Sequence, residues 1–221
     1  MKKALIQLVD NTLSNIGMPQ LKHPVFYNCP IGLRFEISDP WGDDESFAHF
    51  EKAYQKVSDI YNDLQTGFDI LRIDIHLDAE DSKEQQLTDK QESLHVICST
   101  TGLPSPSEER EIGITWDSGK GEMIPLLQVE CYWNLKQLSL HIKDLLMQII
   151  LTDFPPHGGG NSQFESSVFF FDTNNDLMFH LYDDRGLDLV AQDKNVLYPF
   201  YKKYNPWIVG YDRTRIEEIF K

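Results

Sequence analysis

The chain lacks an apolar run long enough to cross a membrane, and it carries little positive charge to balance its acids. A membrane-spanning helix needs roughly 20 predominantly apolar residues, so none is predicted. The 35 acidic residues outnumber the 20 basic ones and give a formal net charge of −15. This charge would repel a nucleic-acid backbone or an anionic membrane over most of the surface. We therefore expect neither as a partner.

Cysteine is scarce, and its positions exclude two common kinds of site. Cys29, Cys98 and Cys131 are odd in number and form no C-x-x-C pair. This spacing indicates neither a disulfide framework nor a thiolate zinc site, and it is typical of a reducing cytoplasm. Gln7 and Asp10 interrupt what would be the apolar core of a signal peptide. We expect a cytoplasmic protein, and no cofactor is indicated.

Hydrophobic residues make up 41% of the chain, which is sufficient for a core, and we expect one domain over residues 1–221. Their periodicity predicts an α+β protein with a mainly antiparallel sheet, two or three long helices packed on it and a C-terminal β-meander. Helices are predicted at the amino terminus and over residues 45–64, 135–151, 198–207 and 213–220. Strands are predicted over residues 31–37, 69–78, 93–98, 111–116, 126–133, 167–172, 177–183 and 187–191.

Two polar segments interrupt this pattern and are expected as surface excursions, residues 78–92 and 99–110. Just before them, residues 69–78 alternate between apolar and polar side chains. The alternation predicts a half-buried strand, with Arg72, Asp74 and His76 on the face opposite the core.

Three glycine-rich or acidic fragments resemble ligand loops, but each lacks a required residue. GITWDSGKG (113–121) has no Ser or Thr after its lysine, as a phosphate loop requires. HGGG (157–160) resembles an esterase oxyanion loop, but the chain has no G-x-S-x-G nucleophile. DTNND (172–176) resembles the start of a calcium loop, but Leu177 replaces the required glycine. A flexible connection at HGGG and a hairpin turn at DTNND are the favoured interpretations.

The histidines also fail to predict a preassembled metal site. None of the seven is two or four residues from another, the spacings that place two ligands on one strand or helix face. His76 and His180 lie on predicted strands. They are either ligands of a site assembled from distant strands or histidines satisfied at a sheet surface, and the second is the commoner arrangement.

The stretch HLYDDRG (180–186) permits two interpretations. Asp183 and Asp184 could share a proton or hold a divalent cation, with Arg185 binding a carboxylate or phosphate. Alternatively, the stretch is a turn in which an Asp accepts backbone N–H bonds, Arg185 pairs with a nearby acid and Gly186 supplies a positive φ. Adjacent side chains on a strand normally diverge, which favours the turn.

Three segments resemble a known family: FYNCPIGLRFEI (26–37), SVFFFDTNNDLMFHLYDDRGLDLVA (167–191) and YNPWIVGYDRTRIEEIF (204–220). They are similar to the bacterial family called domain of unknown function 3885, common in Gram-positive species, and HLYDDRG and Tyr211-Asp212-Arg213 are the most specific parts. The resemblance implies fold and lineage, and it brings no catalytic residues. Small acidic α+β proteins of such bacteria often serve as immunity proteins against secreted toxins, which is an analogy of class.

The first hypothesis is a non-enzymatic protein whose acidic surface binds a basic partner such as a toxin. The acids expected to steer this association are Asp78, Glu80, Asp81 and Glu84. In this hypothesis HLYDDRG is structural.

The second hypothesis is a metal-dependent hydrolase or a small-ligand enzyme. Its catalytic residues would be His180, Asp183, Asp184 and Asp212, and Arg185 or Arg213 would hold an anion.

Overall fold

A computed structural model describes residues 4–38, 47–117, 122–154 and 166–221 of the chain. Its strands are β1 Gly32–Glu36, β2 Ile70–Leu77, β3 Glu108–Asp117, β4 Glu122–Asn134, β5 Ser166–Asp172, β6 Leu177–Leu181 and β7 Gly186–Ala191. Its helices are α1 Leu5–Asn15, α2 Val25–Asn28, α3 Phe47–Leu64, α4 Lys83–Thr101, α5 Ile142–Ile150, α6 Lys194–Lys203 and α7 Arg213–Phe220.

The strands form one seven-stranded antiparallel sheet in the order β1-β7-β6-β5-β2-β4-β3. The predicted α+β class, the antiparallel sheet and the C-terminal meander β5-β6-β7 are confirmed. The turn of the β5-β6 hairpin contains Asp176 at a φ of 45°. Asp172 accepts hydrogen bonds from the backbone N–H groups of Asn174 and Asn175 at 3.0 and 3.2 Å. DTNND is therefore a hairpin turn, as predicted.

The helices at residues 5–15 and 47–64 are also confirmed, and each buries one apolar stripe. Helix α1 ends before Gly17, which adopts a φ of 85°, a conformation that glycine takes without strain. The predicted helix over residues 135–151 is shorter. Leu135–Gln137 forms a 3-10 turn, Leu138 is extended, and α5 begins only at Ile142.

The strand predicted over residues 93–98 is wrong, because this segment belongs to α4. Ser82 caps the start of α4 by accepting the N–H of Gln85 at 3.2 Å, and Gly102 ends it at a φ of 73°. The helix buries only Gln86, Ile97 and Thr101, so its sequence carries no regular apolar stripe. Residues 83–92 are helical and largely exposed, and residues 108–110 of the second predicted excursion belong to β3.

The two faces of the sheet have different partners and different composition. The apolar face carries Leu71, Ile73, Val168, Phe170 and Phe179, which join one large core with residues of the helices α3 and α5. The opposite face is covered by α1 and α2, and we call it the polar face. Its apolar positions, such as Ile70, Phe169, Phe171 and Met178, form a second core with α1. Its charged positions include Arg34, Arg72, Asp74, Glu130 and Asp188.

None of the helices in the described part of the chain combines the length and the hydropathy that crossing a membrane requires.

Candidate functional site

Polar and aromatic side chains on the polar face line up across six strands of the sheet. Each member lies directly opposite the next in the strand register, so their side chains are neighbours on one face. In spatial order the row is Arg34, Asp188, His180, Phe169, Arg72 and Tyr132. All of these except Arg34 are 3% exposed or less. A row of buried ionisable groups is rare in a protein, because each charge must be compensated locally.

Arg72 is the centre of the second half of the row, between Phe169 and Tyr132. Its Nε and Nη2 donate to the two carboxylate oxygens of Asp74 at 2.6 and 2.7 Å, and Nη2 also lies 2.7 Å from Oε1 of Glu130. Burial opposes the charge on Arg72, but these carboxylates raise its pKa above the ordinary value. Gln128 donates to Asp74 at 2.8 Å. The predicted half-buried strand is corrected here, since Arg72 and Asp74 are each 1% exposed, although His76 is exposed.

Arg110 connects this buried cluster to α1. Its Nε donates to Oε2 of Glu130 at 2.6 Å, and its two Nη atoms donate to the carboxylate of Asp10 at 2.8 and 2.9 Å. A cavity of about 370 Å³ lies beside these groups and is lined by Arg72, Arg110 and Glu130. The guanidinium groups of Arg72 and Arg110 are each paired with carboxylates, so the described residues that line this cavity offer no uncompensated positive charge.

A second cavity, of about 330 Å³, lies over the other half of the row, and we call it the histidine cavity. It is lined by His23, Pro24, Val25, Arg34, His180, Tyr182, Asp183, Arg185 and Asp188. The two cavities share His23, which lies in the connection between α1 and α2. This volume is at the lower end of the range for small-molecule sites in proteins.

His180 has a defined tautomer. Its Nδ1 lies 3.0 Å from the carbonyl oxygen of Val168, and a carbonyl can only accept, so we assign the proton to Nδ1. Burial lowers the pKa of the ring, which stacks on Phe169 with the ring centroids 4.5 Å apart. Neutral His180 therefore has an acceptor at Nε2, and no described residue donates to it.

His23 lies next to His180, with the ring centroids 5.3 Å apart. Burial lowers its pKa to about 3, and the neighbouring His180, His76 and Arg72 act in the same direction. Both imidazoles are therefore neutral near pH 7.

Arg34 lies at one end of the row, on the edge strand β1. Its Nε and Nη2 donate to the carboxylate of Asp188 at 2.8 and 3.1 Å, and its Nη1 lies 3.7 Å from Asp212. The guanidinium carbon lies 4.7 Å from the ring centroid of Tyr27, whose hydroxyl donates to Asp212 at 2.9 Å. Arg34 thus connects Asp188 of β7 with Asp212 of the Tyr211-Asp212-Arg213 segment.

The four catalytic candidates do not form one cluster. His180 and Asp183 line the histidine cavity. Asp184 instead lies 3.0 Å from Nε2 of His49, and Asp212 bonds to Tyr27. Within the described ranges, no three His, Cys, Asp or Glu side chains are grouped in a way that suits a metal ion.

The geometry at HLYDDRG matches the turn interpretation except for its glycine. Asp183 accepts the backbone N–H of Arg185 at 2.7 Å and pairs with its guanidinium. Gly186 does not have a positive φ, so that expectation is wrong. The position needs glycine for space, since a Cβ there would lie 2.1 Å from the Tyr182 hydroxyl and 2.7 Å from the Phe35 carbonyl oxygen.

The candidate binding residues divide into two groups. Asp78, Glu80, Asp81 and Glu84 are all exposed, at the β2-α4 connection and the first turn of α4. Arg185 is exposed but paired with Asp183, and Arg213 donates to the side chain of Asn205 at 3.0 Å and to its carbonyl oxygen at 2.9 Å. HGGG lies outside the described residues, as does the end of GITWDSGKG.

Sequence reasoning did not identify four residues that belong to the row on the polar face or line its two cavities: His23, Arg34, Asp188 and Glu130. Arg34 lies between Leu33 and Phe35, and Asp188 lies between Leu187 and Leu189. Each therefore occupies the polar position of an alternating strand. A polar residue in a strand normally indicates a solvated face, so this signal becomes informative only when the register places the two residues opposite each other.

Comparison with known proteins places the chain in a family. A family model described as "Domain of unknown function (DUF3885)" matches residues 8–212. The "Uncharacterized protein YnaE" of Bacillus subtilis (strain 168) is 37% identical over 78 residues, which cover 34% of this chain and 37% of that protein. No solved structure shows a significant match. The family match spans most of the sequence and confirms the resemblance carried by HLYDDRG: the chain belongs to the DUF3885 family.

Proposed function

We propose that this protein is a cytoplasmic, non-enzymatic binding protein whose acidic surface engages a basic protein, as an immunity protein engages a toxin. The observation that carries the proposal is the contrast among its carboxylates. Asp183, Asp184 and Asp188 are buried and each lies against a basic or imidazole group. The acids of residues 78–84 are exposed, and no ion pair joins them to a described residue. Exposed, uncompensated charge steers a partner of opposite sign.

An apolar side chain lies within this acidic segment. Leu87 is 54% exposed and lies three residues after Glu84 on α4, so the two share one helix face. Protein interfaces commonly place an apolar anchor inside a charged rim, where the anchor supplies affinity and the rim supplies steering. We define Asp78, Glu80, Asp81, Glu84 and Leu87 as the acidic surface.

The first experiment is a pull-down of the tagged protein from its native lysate at low and moderate salt, with bound proteins identified by mass spectrometry. We expect one stoichiometric basic protein whose association slows as salt is added. Replacing the four acids of the acidic surface by Asn or Gln should lower the association rate about tenfold or more at low salt. An association rate that ignores ionic strength would contradict steering.

The matched control neutralises four exposed acids elsewhere: Glu51, Glu111, Asp144 and Glu218. Both variants change the formal net charge from −15 to −11. If only net charge mattered, the two variants would bind equally. The proposal requires the acidic-surface variant to be the slower one.

The second candidate function is a metal-dependent hydrolase or a small-ligand enzyme at HLYDDRG. The joint lining of the histidine cavity by His180 and Asp183 favours its small-ligand form. Asp183→Ala should then abolish activity against the substrate. Unchanged metal content and unchanged activities in this variant would remove the support for an enzyme.

A further inference from the structure

The histidine cavity is lined by a largely buried side chain, His180, one nitrogen of which has no hydrogen-bond partner among the described residues. His180 is 3% exposed, and its Nδ1 is occupied by the Val168 carbonyl oxygen. Its Nε2 receives no hydrogen bond from a described residue, although the ring lines the cavity. Such an acceptor can take a hydrogen bond from a molecule bound in the cavity, and that bond would favour binding.

Tyr182 lines the same cavity and carries a hydrogen-bond donor, its hydroxyl. The Tyr182 hydroxyl lies directly over Gly186, where it leaves no room for a Cβ, and no hydrogen bond joins it to a described residue. Burial raises the pKa of this phenol, so it stays protonated near pH 7 and can donate. The cavity therefore presents an acceptor at His180 and a donor at Tyr182.

The charges around the cavity are balanced. Arg34 is held by both oxygens of Asp188, and Arg185 is paired with Asp183. A charged molecule would find each of these ions already compensated and would lose its own hydration on entry. An uncharged molecule avoids this cost.

We propose that the histidine cavity binds a small uncharged molecule through its hydroxyl or amide groups, with His180 Nε2 accepting and the Tyr182 hydroxyl donating. This inference rests on the small-ligand form of the second candidate function, and it names the chemical class of the ligand. It requires neither a metal ion nor catalysis, and it is independent of the acidic surface.

The test uses three sugars of similar size and different charge: neutral N-acetylglucosamine, cationic glucosamine and anionic glucuronate. Long-range proton–nitrogen NMR spectra of the full-length protein report each histidine nitrogen, and His180→Gln assigns the His180 signals. We expect N-acetylglucosamine to shift the His180 Nε2 resonance at millimolar concentration, with a weaker effect of the two charged sugars. No shift with any of the three, or a stronger response to a charged sugar, would overturn the proposal.

Tyr182→Phe removes the donor and keeps the ring, so the fold is preserved. Its affinity for N-acetylglucosamine should fall about 3- to 10-fold, the equivalent of one lost hydrogen bond. His95→Gln on the exposed part of α4 is the control and should bind as the wild type does. Equal affinity in all three proteins would contradict the assigned donor.

The same titration separates the inference from the function on which it rests. If the sugar binds and is recovered unchanged, the cavity is a binding site and the enzyme hypothesis loses its support. If a substrate is converted and Asp183→Ala abolishes the conversion, but no uncharged probe shifts His180, the enzyme hypothesis stands and this inference fails.

Discussion

The two faces of the sheet are built by the same strands, but they are stabilised in different ways. The apolar face buries Leu, Ile, Val and Phe side chains against long helices, where stability grows with the apolar area removed from water. The polar face buries Arg72, Asp74, Glu130, His180 and Asp188, where each group depends on a specific partner. A buried charge contributes little net stability and costs much when its partner is removed.

The difference between the two faces indicates which face serves stability and which face is the candidate for binding a ligand. The apolar face has the composition that any α+β core requires. The polar face carries more ionic groups than packing requires. Beside them lie both cavities and the Nε2 of His180, to which none of the described residues donates. Binding sites combine an enclosed volume with a few placed polar groups, so the polar face is where a small ligand is expected.

We expect the largest loss of stability for Arg72→Met, on the polar face. The substitution keeps much of the side-chain volume but leaves Asp74 buried without its cation, which should lower the free energy of unfolding by about 3–5 kcal/mol. Arg72→Met combined with Asp74→Leu should recover most of the loss, because Glu130 keeps Arg110 as a partner at 2.6 Å. Urea denaturation measures both values. A double variant as unstable as the single one would contradict the pairing argument.

We expect the second-largest loss of stability for Gly186→Ala, at the first residue of β7. The new Cβ would press on the Tyr182 hydroxyl and the Phe35 carbonyl oxygen, so we expect a loss of about 1–3 kcal/mol in thermal or chemical unfolding. Gly113→Ala is the matched control in a strand, because the added Cβ would have no atom of a described residue within 4 Å apart from those of its chain neighbours. Equal stabilities of the two variants would show that the close approach at Gly186 is not limiting.

A smaller effect concerns pH. The pKa of His23 is about 3 in the folded protein against 6.5 for the free side chain, so below pH 6.5 the unfolded chain takes up a proton that the folded one does not. Stability that is present above pH 6.5 is therefore lost as the pH falls, by up to about 2 kcal/mol between pH 7 and pH 5. His23→Gln should flatten the pH dependence of the unfolding free energy, and His95→Gln should not. Parallel curves for the wild type and His23→Gln would contradict a neutral, buried His23.

The smallest effect is expected at the acidic surface. Replacing Asp78, Glu80, Asp81 and Glu84 by Asn or Gln should change the free energy of unfolding by less than about 0.5 kcal/mol, because these side chains are exposed and form no ion pair with a described residue. The side-chain oxygen of Asn at position 78 can still accept the backbone N–H of Glu80, as Asp78 does at 2.8 Å. The measurement is the same urea denaturation. A loss comparable to that of Arg72→Met would show that these acids serve the fold, and the surface would then no longer be available for a partner.

Sequence reasoning succeeded where one local rule was sufficient. The alternation of Leu71, Ile73 and Ile75 predicted β2, and Asp183 with Arg185 predicted a turn. It failed at α4, because this helix lies mostly at the surface and has no regular apolar stripe. It also failed to foresee that Arg72 and Asp74 are buried, because nothing within β2 indicates that Arg110 and α1 cover that face.

The α+β class, the acidic charge and the side of each strand on which a residue lies follow from the sequence alone, because these depend on composition and on a two-residue period. Which polar residues meet depends on how distant segments pack. Register between distant strands aligned Arg34 with Asp188 and His180, and chain packing brought His23 beside His180. The Arg34–Asp188 and His23–His180 contacts each join residues more than 100 positions apart, and no local pattern encodes which distant segments will lie side by side.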